Sequence, residues 1–210
     1  MVGVADDSAD HVRIELPKVL LVEGASECRF FEKLLGELDI SKSIQVINYH
    51  GIHRLKGFLH TLPVRPEYSL VDSLGVTRDA DESSVSAFQS VCSLLRNAGF
   101  DAPDRTNDQT LGNPRVSVFI LPDGENAGML ETLCLSAVQD DPAIPCVEQY
   151  FQCLADTATL PTRNPDKARA HVFLASRDRP ELRVGEAAEA GHWRLDSPVY
   201  SPLKRFLQAL

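Results

Sequence analysis

Lys18-Val-Leu-Leu-Val-Glu23-Gly24 is a run of four apolar residues that ends abruptly in a carboxylate and a glycine. A short, continuous apolar run of this kind is typical of a strand that is buried on both faces of a sheet. Ser26 then offers a helix N-cap, and large apolar residues recur with helical spacing. Those residues are Phe30, Phe31, Leu34, Leu35 and Leu38. The stretch therefore predicts a buried strand that brings a carboxylate to the start of a helix.

The same alternation of strand and helix returns further along the chain. More strands are predicted at residues 44–49, 68–77 and 115–121. Helices are predicted at residues 54–62, 85–98 and 129–138. This alternation indicates a mainly parallel sheet with helices on both faces. The expected fold class is therefore α/β, with a mainly parallel four-stranded sheet.

The second half of the chain has a different pattern. Residues 140–210 contain no convincing strand and predict short helices at 145–158, 165–176, 184–190 and 199–208. We expect Trp193 to anchor the packing of these helices. The expected organisation has three parts: a flexible N-terminus (1–16), an α/β domain (17–140) and a C-terminal helical extension packed on it (141–210).

Composition limits the classes of function. The 210 residues include 21 basic and 30 acidic side chains, which gives a formal net charge of −9. This charge argues against a protein that coats nucleic acid by bulk attraction, because such binding depends on lysine and arginine. It does not exclude an enzyme that approaches phosphates through bound metal, since a metal ion neutralises its acidic ligands.

Cysteine usage and the N-terminus indicate the compartment. The five cysteines are odd in number and form no CxxC pair, so we expect free thiols in a reducing compartment. The first residues lack the basic and apolar regions of a signal peptide, and the apolar runs are too short to cross a bilayer. We therefore expect a cytoplasmic protein that does not contact a membrane.

Carboxylates follow three of the predicted strands. They are Glu23 after the first strand, Asp79 and Asp81 after the third, and Asp123 after the fourth. Ligands bind beyond the carboxyl ends of the strands in parallel sheets, so these groups are expected at one edge. Asp79 and Asp81 are two residues apart, which in extended backbone turns both side chains to the same side. Because carboxylates suit hard cations, the pattern predicts a divalent-metal site.

The order of these acids resembles a known signature. Glu23-Gly24 at the end of an apolar strand, followed by Asp79-x-Asp81 after a later strand, is similar to the Toprim signature. That family includes bacterial primases, topoisomerases, small ribosomal RNA maturases and the overcoming-lysogenization-defect nucleases. The string from Glu23 to Glu27 resembles the last group, in which a second acid follows the first by four positions.

Later residues extend the resemblance, which covers residues 18–137. Gly128-Met-Leu-Glu131 is similar to the later acidic motif of the same nucleases, and Lys167 to their downstream lysine. The string LPDGENAGMLETLCL at 121–135 also resembles a family of small stand-alone Toprim-like proteins.

The resemblance implies a metal-dependent nuclease that acts on DNA or RNA. Its ligands for Mg²⁺ or Mn²⁺ would be Glu27, Asp79, Asp81 and Glu131. Glu23 would be a general base or acid or a further ligand, and Lys167 would stabilise charge on the reacting phosphorus. Since no ATPase region precedes the Toprim-like residues here, either a partner protein would supply ATPase activity or specificity, or the coupling to nucleotide hydrolysis would be missing.

Taken singly, each residue also has an ordinary structural interpretation. The alternatives are a helix cap for Glu23, a solvated turn for Asp79 and Asp81, and a helix surface for Glu131 or Lys167. In Pro122-Asp123-Gly124 a turn is favoured. What favours a functional site is the joint placement of these residues at the strand ends.

Two other functions are open. The acidic net charge favours a catalytically degenerate Toprim-fold module that binds or regulates a partner. A phosphatase or receiver-like domain would need an aspartate where the chain has Glu23. The basic residues of 160–183 either face phosphates or lie on a solvated helix face with ion pairs.

Overall fold

The sheet has four parallel strands in the order β2-β1-β3-β4 in this computed structural model, which describes residues 13–157 and 163–210. The strands are β1 (Lys18–Val22), β2 (Ile44–Asn48), β3 (Ser73–Asp79) and β4 (Arg115–Leu121). β1 and β3 occupy the centre, where the apolar run Val19–Val22 is fully buried. The predicted α/β class with a four-stranded parallel sheet is confirmed.

Helices cover both faces of this sheet. In the described residues they are α1 (Ala25–Glu37), α2 (Ile52–Thr61), α3 (Ser84–Asn97), α4 (Leu130–Ser136), α5 (Ile144–Asp156), α6 (Pro165–Ala175), α7 (Val184–Glu189) and α8 (Ser201–Ala209). One buried apolar cluster joins the sheet to α1, α4 and the C-terminal helices, and a second joins it to α2 and α3. The predicted placement of helices on both faces is confirmed.

The third strand begins later than the sequence predicts. Tyr68–Leu70 forms a 3-10 turn, and the strand runs from Ser73 to Asp79. Burial explains the difference, because Leu70 is 52% exposed whereas the strand is buried from its first residue. The strand also ends later than the sequence predicts, so Asp79 is the last residue of β3 rather than a residue beyond it.

The start of α1 also differs from the prediction. Gly24 is the N-cap, and Ser26 lies inside the first turn, so the predicted Ser26 cap is wrong. The Gly24 backbone is already extended and provides the non-helical residue that an N-cap requires. Glu27 therefore falls in the first turn of the helix.

Helix α7 supports that first turn from outside. A Cβ at Gly185 would collide with the carbonyl oxygen of Ser26, so glycine is what allows the two helices to approach so closely. Across the same contact, Arg29 lies 3.2 Å from Glu189 and 3.7 Å from Glu186. The C-terminal helices thereby fix the part of α1 that carries Glu27.

The C-terminal helices pack around the predicted anchor. The Trp193 ring stacks on Phe173 with 5.3 Å between ring centroids, and its Nε1–H donates to the Val184 carbonyl oxygen at 2.9 Å. The packing role of Trp193 is confirmed. At the end of the chain, Leu210 lies against Gly75 of β3, where a Cβ would be only 2.9 Å from the leucine side chain.

The boundaries of the predicted three-part organisation stay predictions. Residues 1–12 of the expected flexible N-terminus lie outside the described residues, and Ile14 is buried. No helix within the described parts of the chain has the length and apolar composition that crossing a membrane requires.

Candidate functional site

Asp79 lies at the centre of a cluster of carboxylates. Its Oδ1 accepts a hydrogen bond from the Leu130 backbone N–H at 3.1 Å, at the start of α4. Burial raises the pKa of Asp79 well above its ordinary value of 3.8. Three nearby negative charges raise this pKa further, in the order Glu27, Glu131 and Glu23. Carboxylates from three separate parts of the chain therefore act on Asp79 at the sheet edge.

Glu27 reaches this cluster from the first turn of α1. Burial is the main cause of its raised pKa, to which the charge of Glu131 adds, while Lys167 opposes the shift. Gly24 makes room for the side chain, because a Cβ there would lie 2.8 Å from Glu27 Oε2. The Gly24 backbone has a φ of −152°, which is an extended conformation that any residue can adopt. The glycine therefore contributes space rather than an unusual backbone conformation.

Glu23 follows β1 directly and lies beside the start of α2. Burial raises the pKa of Glu23, and a hydrogen bond from the Ile52 backbone N–H to its carboxylate opposes this shift. The Tyr49 hydroxyl lies beside Glu23 and donates its single proton to the Thr77 carbonyl oxygen at 3.1 Å. The capping interpretation of Glu23 thus applies to α2 and not to α1. The residue combines a fixed position with a raised proton affinity.

Asp81 is placed differently from the sequence expectation. It has a φ of 52°, so the extended backbone from which we expected its side chain to align with that of Asp79 is wrong. Two backbone hydrogen bonds of 2.9 Å pair it with Gly128 and hold the turn. Aspartate tolerates this left-handed conformation better than most residues. Asp81 is exposed, and its charge raises the pKa of Glu23.

Glu131 faces inward, so the alternative of a surface acid is wrong. The residue is only 8% exposed. Lys167 Nζ, from the first turn of α6, lies 3.8 Å from Glu131 Oε1. The structure therefore brings a C-terminal lysine to the edge of the carboxylate cluster, as the sequence resemblance implies.

A threonine connects the two helices that carry this pair. Thr132 Oγ1 donates to Asp166 Oδ2 at 2.6 Å and accepts the Met129 backbone N–H at 3.0 Å. Asp166 immediately precedes Lys167, so this contact fixes the start of α6 against the start of α4. A Cβ at Gly128 would lie only 2.7 Å from Thr132 Oγ1, so glycine leaves the space that the Thr132 side chain occupies.

Asp123 does not take part in the cluster. Its Oδ1 accepts the backbone N–H groups of Glu125 and Asn126 at 3.0 and 2.9 Å. These bonds stabilise the turn after β4, and the turn prediction for Pro122-Asp123-Gly124 is confirmed.

Three of the six basic residues of 160–183 form surface ion pairs. Arg169 pairs with Glu148, Arg177 with Asp141, and Arg179 with Glu181. The predicted ion pairs are confirmed for these three arginines, of which Arg169 lies on α6 while Arg177 and Arg179 follow the end of that helix. Lys167 differs from them because its partner belongs to the carboxylate cluster.

The cluster fits a divalent cation in its chemistry but is not arranged as a finished metal site. Within residues 13–157 and 163–210, no group of three or more His, Cys, Asp or Glu side chains has the placement of a metal site. The donors are carboxylates, which are the ligands that Mg²⁺ and Mn²⁺ prefer. The raised pKa values of Glu27 and Asp79 are those that an added positive charge would lower.

Two residues that contribute to the candidate site, Tyr49 and Thr132, could not be found by listing acids at strand ends. Tyr49 follows β2 and is fully buried, so its sequence environment resembles that of any core aromatic residue. Its position at the sheet edge was the available signal. Thr132 gains its role from Asp166, which is 34 residues away, and no local pattern indicates that contact.

The chain was compared with known proteins. The model of one family, described as "Protein of unknown function (DUF3226)", matches residues 17–210. No curated protein matches the chain. A solved structure described as the C-terminal region of the Xanthomonas campestris pv. campestris OLD protein is 13% identical, with a TM-score of 0.47. The similarity covers 92% of this chain and 96% of that chain, and at this level it transfers no function.

Proposed function

We propose that this chain, which belongs to the DUF3226 family, is a Toprim-like, divalent-metal-dependent phosphoryl-transfer enzyme that hydrolyses phosphodiester bonds of DNA or RNA. One observation carries the proposal. Asp79 is held among three other carboxylates, and their charges and its burial raise its pKa. Such an arrangement costs stability unless a cation offsets it, and perturbed acids of this kind concentrate at functional sites.

Four carboxylates would hold Mg²⁺ or Mn²⁺, and they are Glu27, Asp79, Asp81 and Glu131. When bound, the metal would lower the pKa of a water and polarise the phosphate. Glu23 would accept the proton of that water, for which its raised pKa suits it. The water oxygen would then form a bond to phosphorus as the bond to the leaving oxygen breaks.

Lys167 would stabilise the charge that develops on the phosphate oxygens. Its Nζ lies near the cluster without being buried, because the side chain remains 55% exposed. A preorganised positive charge at such a position acts mainly on the transition state. The addition of ATPase activity or specificity by a partner protein stays a prediction.

Cleavage assays with two matched variants test this function. Supercoiled plasmid and end-labelled RNA are incubated with wild type, Asp79→Asn and Asp123→Asn in Mg²⁺, Mn²⁺ or EDTA. Wild type and Asp123→Asn should cut in the presence of metal, and Asp79→Asn should lose at least about 10²-fold in rate. Both changes remove one carboxylate at the sheet edge, but only the first touches the cluster. Undiminished cleavage by Asp79→Asn would refute the assignment.

A catalytically inactive binding module is the second candidate. The observation in its favour is that no three acidic or histidine side chains of the described residues are already placed to ligate a metal. In that case the acids would be a remnant, and neither cleavage nor Mn²⁺ binding would be found.

A further inference from the structure

A small basic groove lies along α2. It measures about 290 Å³, and the residues that line it include Tyr49, His53, Arg54, Gly57, Phe58 and Arg65. We call it the α2 groove. Sites that enclose a complete small molecule measure roughly 300–1,000 Å³. The α2 groove therefore suits one group of a larger ligand.

The charge of the α2 groove is opposite to that of the whole chain. His53, Arg54 and Arg65 line it, and none of the described residues that line it is an aspartate or a glutamate. In a protein with 30 acidic and 21 basic residues, this is an unusual local concentration of positive charge. The chemistry is that of a site for an anion.

The geometry of the α2 groove suits a phosphate in particular. The Arg65 guanidinium lies 4.6 Å from the centroid of the Phe58 ring, which orients it. A Cβ at Gly57 would meet no atom within 4 Å, so the glycine leaves the groove open. Guanidinium groups bind phosphate oxygens through paired hydrogen bonds.

The α2 groove adjoins the carboxylate cluster through two residues. Tyr49 lines the groove, and its hydroxyl lies beside the Glu23 carboxylate. The Ile52 backbone N–H also bonds Glu23, and His53 of the groove is the next residue. The groove and the carboxylate cluster therefore meet at Glu23, on the same edge of the sheet.

We propose that the α2 groove binds a backbone phosphate of a nucleic-acid strand next to the phosphodiester at the carboxylate cluster. This inference rests on the proposed function and narrows its substrate class to polynucleotides. An ester whose single phosphate is bound at the cluster leaves the groove empty. We therefore expect it to be a poor substrate, because it lacks the second phosphate contact.

The test compares Arg54→Ala with Lys56→Ala. Both changes remove one exposed positive charge from α2, but Lys56 does not line the groove. The substrates are a single-stranded oligonucleotide of about 12 nucleotides and bis(p-nitrophenyl) phosphate, which has one phosphate. Oligonucleotide affinity is also measured in EDTA at several salt concentrations.

Arg54→Ala should lower the ratio of kcat/KM for the oligonucleotide to kcat/KM for the small ester by about tenfold, through KM. It should also make the slope of log affinity against log salt less negative by about 0.7, which is the change for one phosphate contact to a single strand. Lys56→Ala should leave both quantities near the wild-type values. Thermal unfolding confirms that both variants are folded.

The outcomes separate this inference from the proposed function. Cleavage of both substrates with no difference between the two variants would overturn the groove assignment and leave the nuclease standing. If wild type cleaves neither substrate, the proposed function fails, and the salt slope alone decides whether the groove binds a strand. Absence of oligonucleotide binding by wild type would overturn the inference outright.

Discussion

Lys167 Nζ lies 3.8 Å from Glu131 Oε1, so a lysine of the C-terminal helices meets the carboxylate cluster of the sheet. The lysine side chain is 55% exposed and that of Glu131 is 11% exposed. A half-exposed ion pair contributes at most about 1 kcal/mol to stability. The position of Lys167 therefore favours a role in the reaction over a role in folding.

Lys167→Gln is expected to lower kcat for phosphodiester hydrolysis by about 10²-fold, because a transition-state charge loses its counterion. The free energy of unfolding should change by less than about 1 kcal/mol. Arg169→Gln is the control, since it removes the same charge two residues later and breaks contacts outside the cluster, namely the pair with Glu148 and the cation–π contact with Phe151. An equal loss of kcat in both variants would contradict the role of Lys167. Steady-state kinetics and urea unfolding provide the two readouts.

The contact between Thr132 and Asp166 should matter for rate more than for metal affinity. Thr132→Val removes the hydroxyl that bonds Asp166 Oδ2 at 2.6 Å, so the start of α6 loses its attachment to α4. We expect a fall in kcat of about tenfold with Mn²⁺ affinity unchanged, because Lys167 is displaced while the carboxylates remain. Thr132→Ser retains the hydroxyl and should restore kcat. Failure of serine to do so would assign the effect to packing instead.

Two glycines of α1 give opposite expectations. Gly24→Ala places a Cβ within 2.8 Å of Glu27 Oε2, so the carboxylate must move and Mn²⁺ affinity should fall by about tenfold. Gly36→Ala meets no atom within 4 Å and should raise the free energy of unfolding by about 0.5–1 kcal/mol with affinity unchanged. Calorimetric metal titration and urea unfolding measure both effects. Wild-type affinity in Gly24→Ala would exclude Glu27 as a ligand in its present position.

The raised pKa of Asp79 predicts how stability depends on pH. The folded state holds the Asp79 proton more tightly than the unfolded state, so the stabilising contribution is complete below about pH 3.8 and is lost as pH rises through the folded pKa. At pH 7 without metal, Asp79→Asn should unfold at a Tm higher than wild type by about 2–4 °C per kcal/mol of relieved repulsion. Saturating Mg²⁺ should favour wild type instead. Parallel curves of stability against pH for the two proteins would contradict the raised pKa.

The sheet and the candidate acids could be predicted because they depend on local patterns. The apolar run before Glu23 is long enough to define a buried strand, and the parallel topology then places strand ends at one edge. Asp79 and Glu27 follow from the same argument. The end of β3 sets the position of Asp79, and the first turn of α1 sets the position of Glu27.

Features that depend on tertiary contacts could not be predicted in this way. Asp81 adopts a φ of 52° while paired with Gly128, which is 47 residues away along the chain. The burial of Glu131 depends on how α4 lies against the sheet and α6. A sequence pattern places such residues near an edge, whereas backbone pairing and helix packing set the direction of their side chains.

Mn²⁺ binding is the most direct test of the central claim, which is that the cluster around Asp79 is a metal site. The measurement is a titration of the metal-free wild type, followed by electron paramagnetic resonance of the free ion, with Asp79→Asn and Asp123→Asn titrated in parallel. The account predicts saturable binding by wild type and Asp123→Asn, and its loss in Asp79→Asn. Absence of saturable binding by wild type, or equal binding by Asp79→Asn, would contradict it.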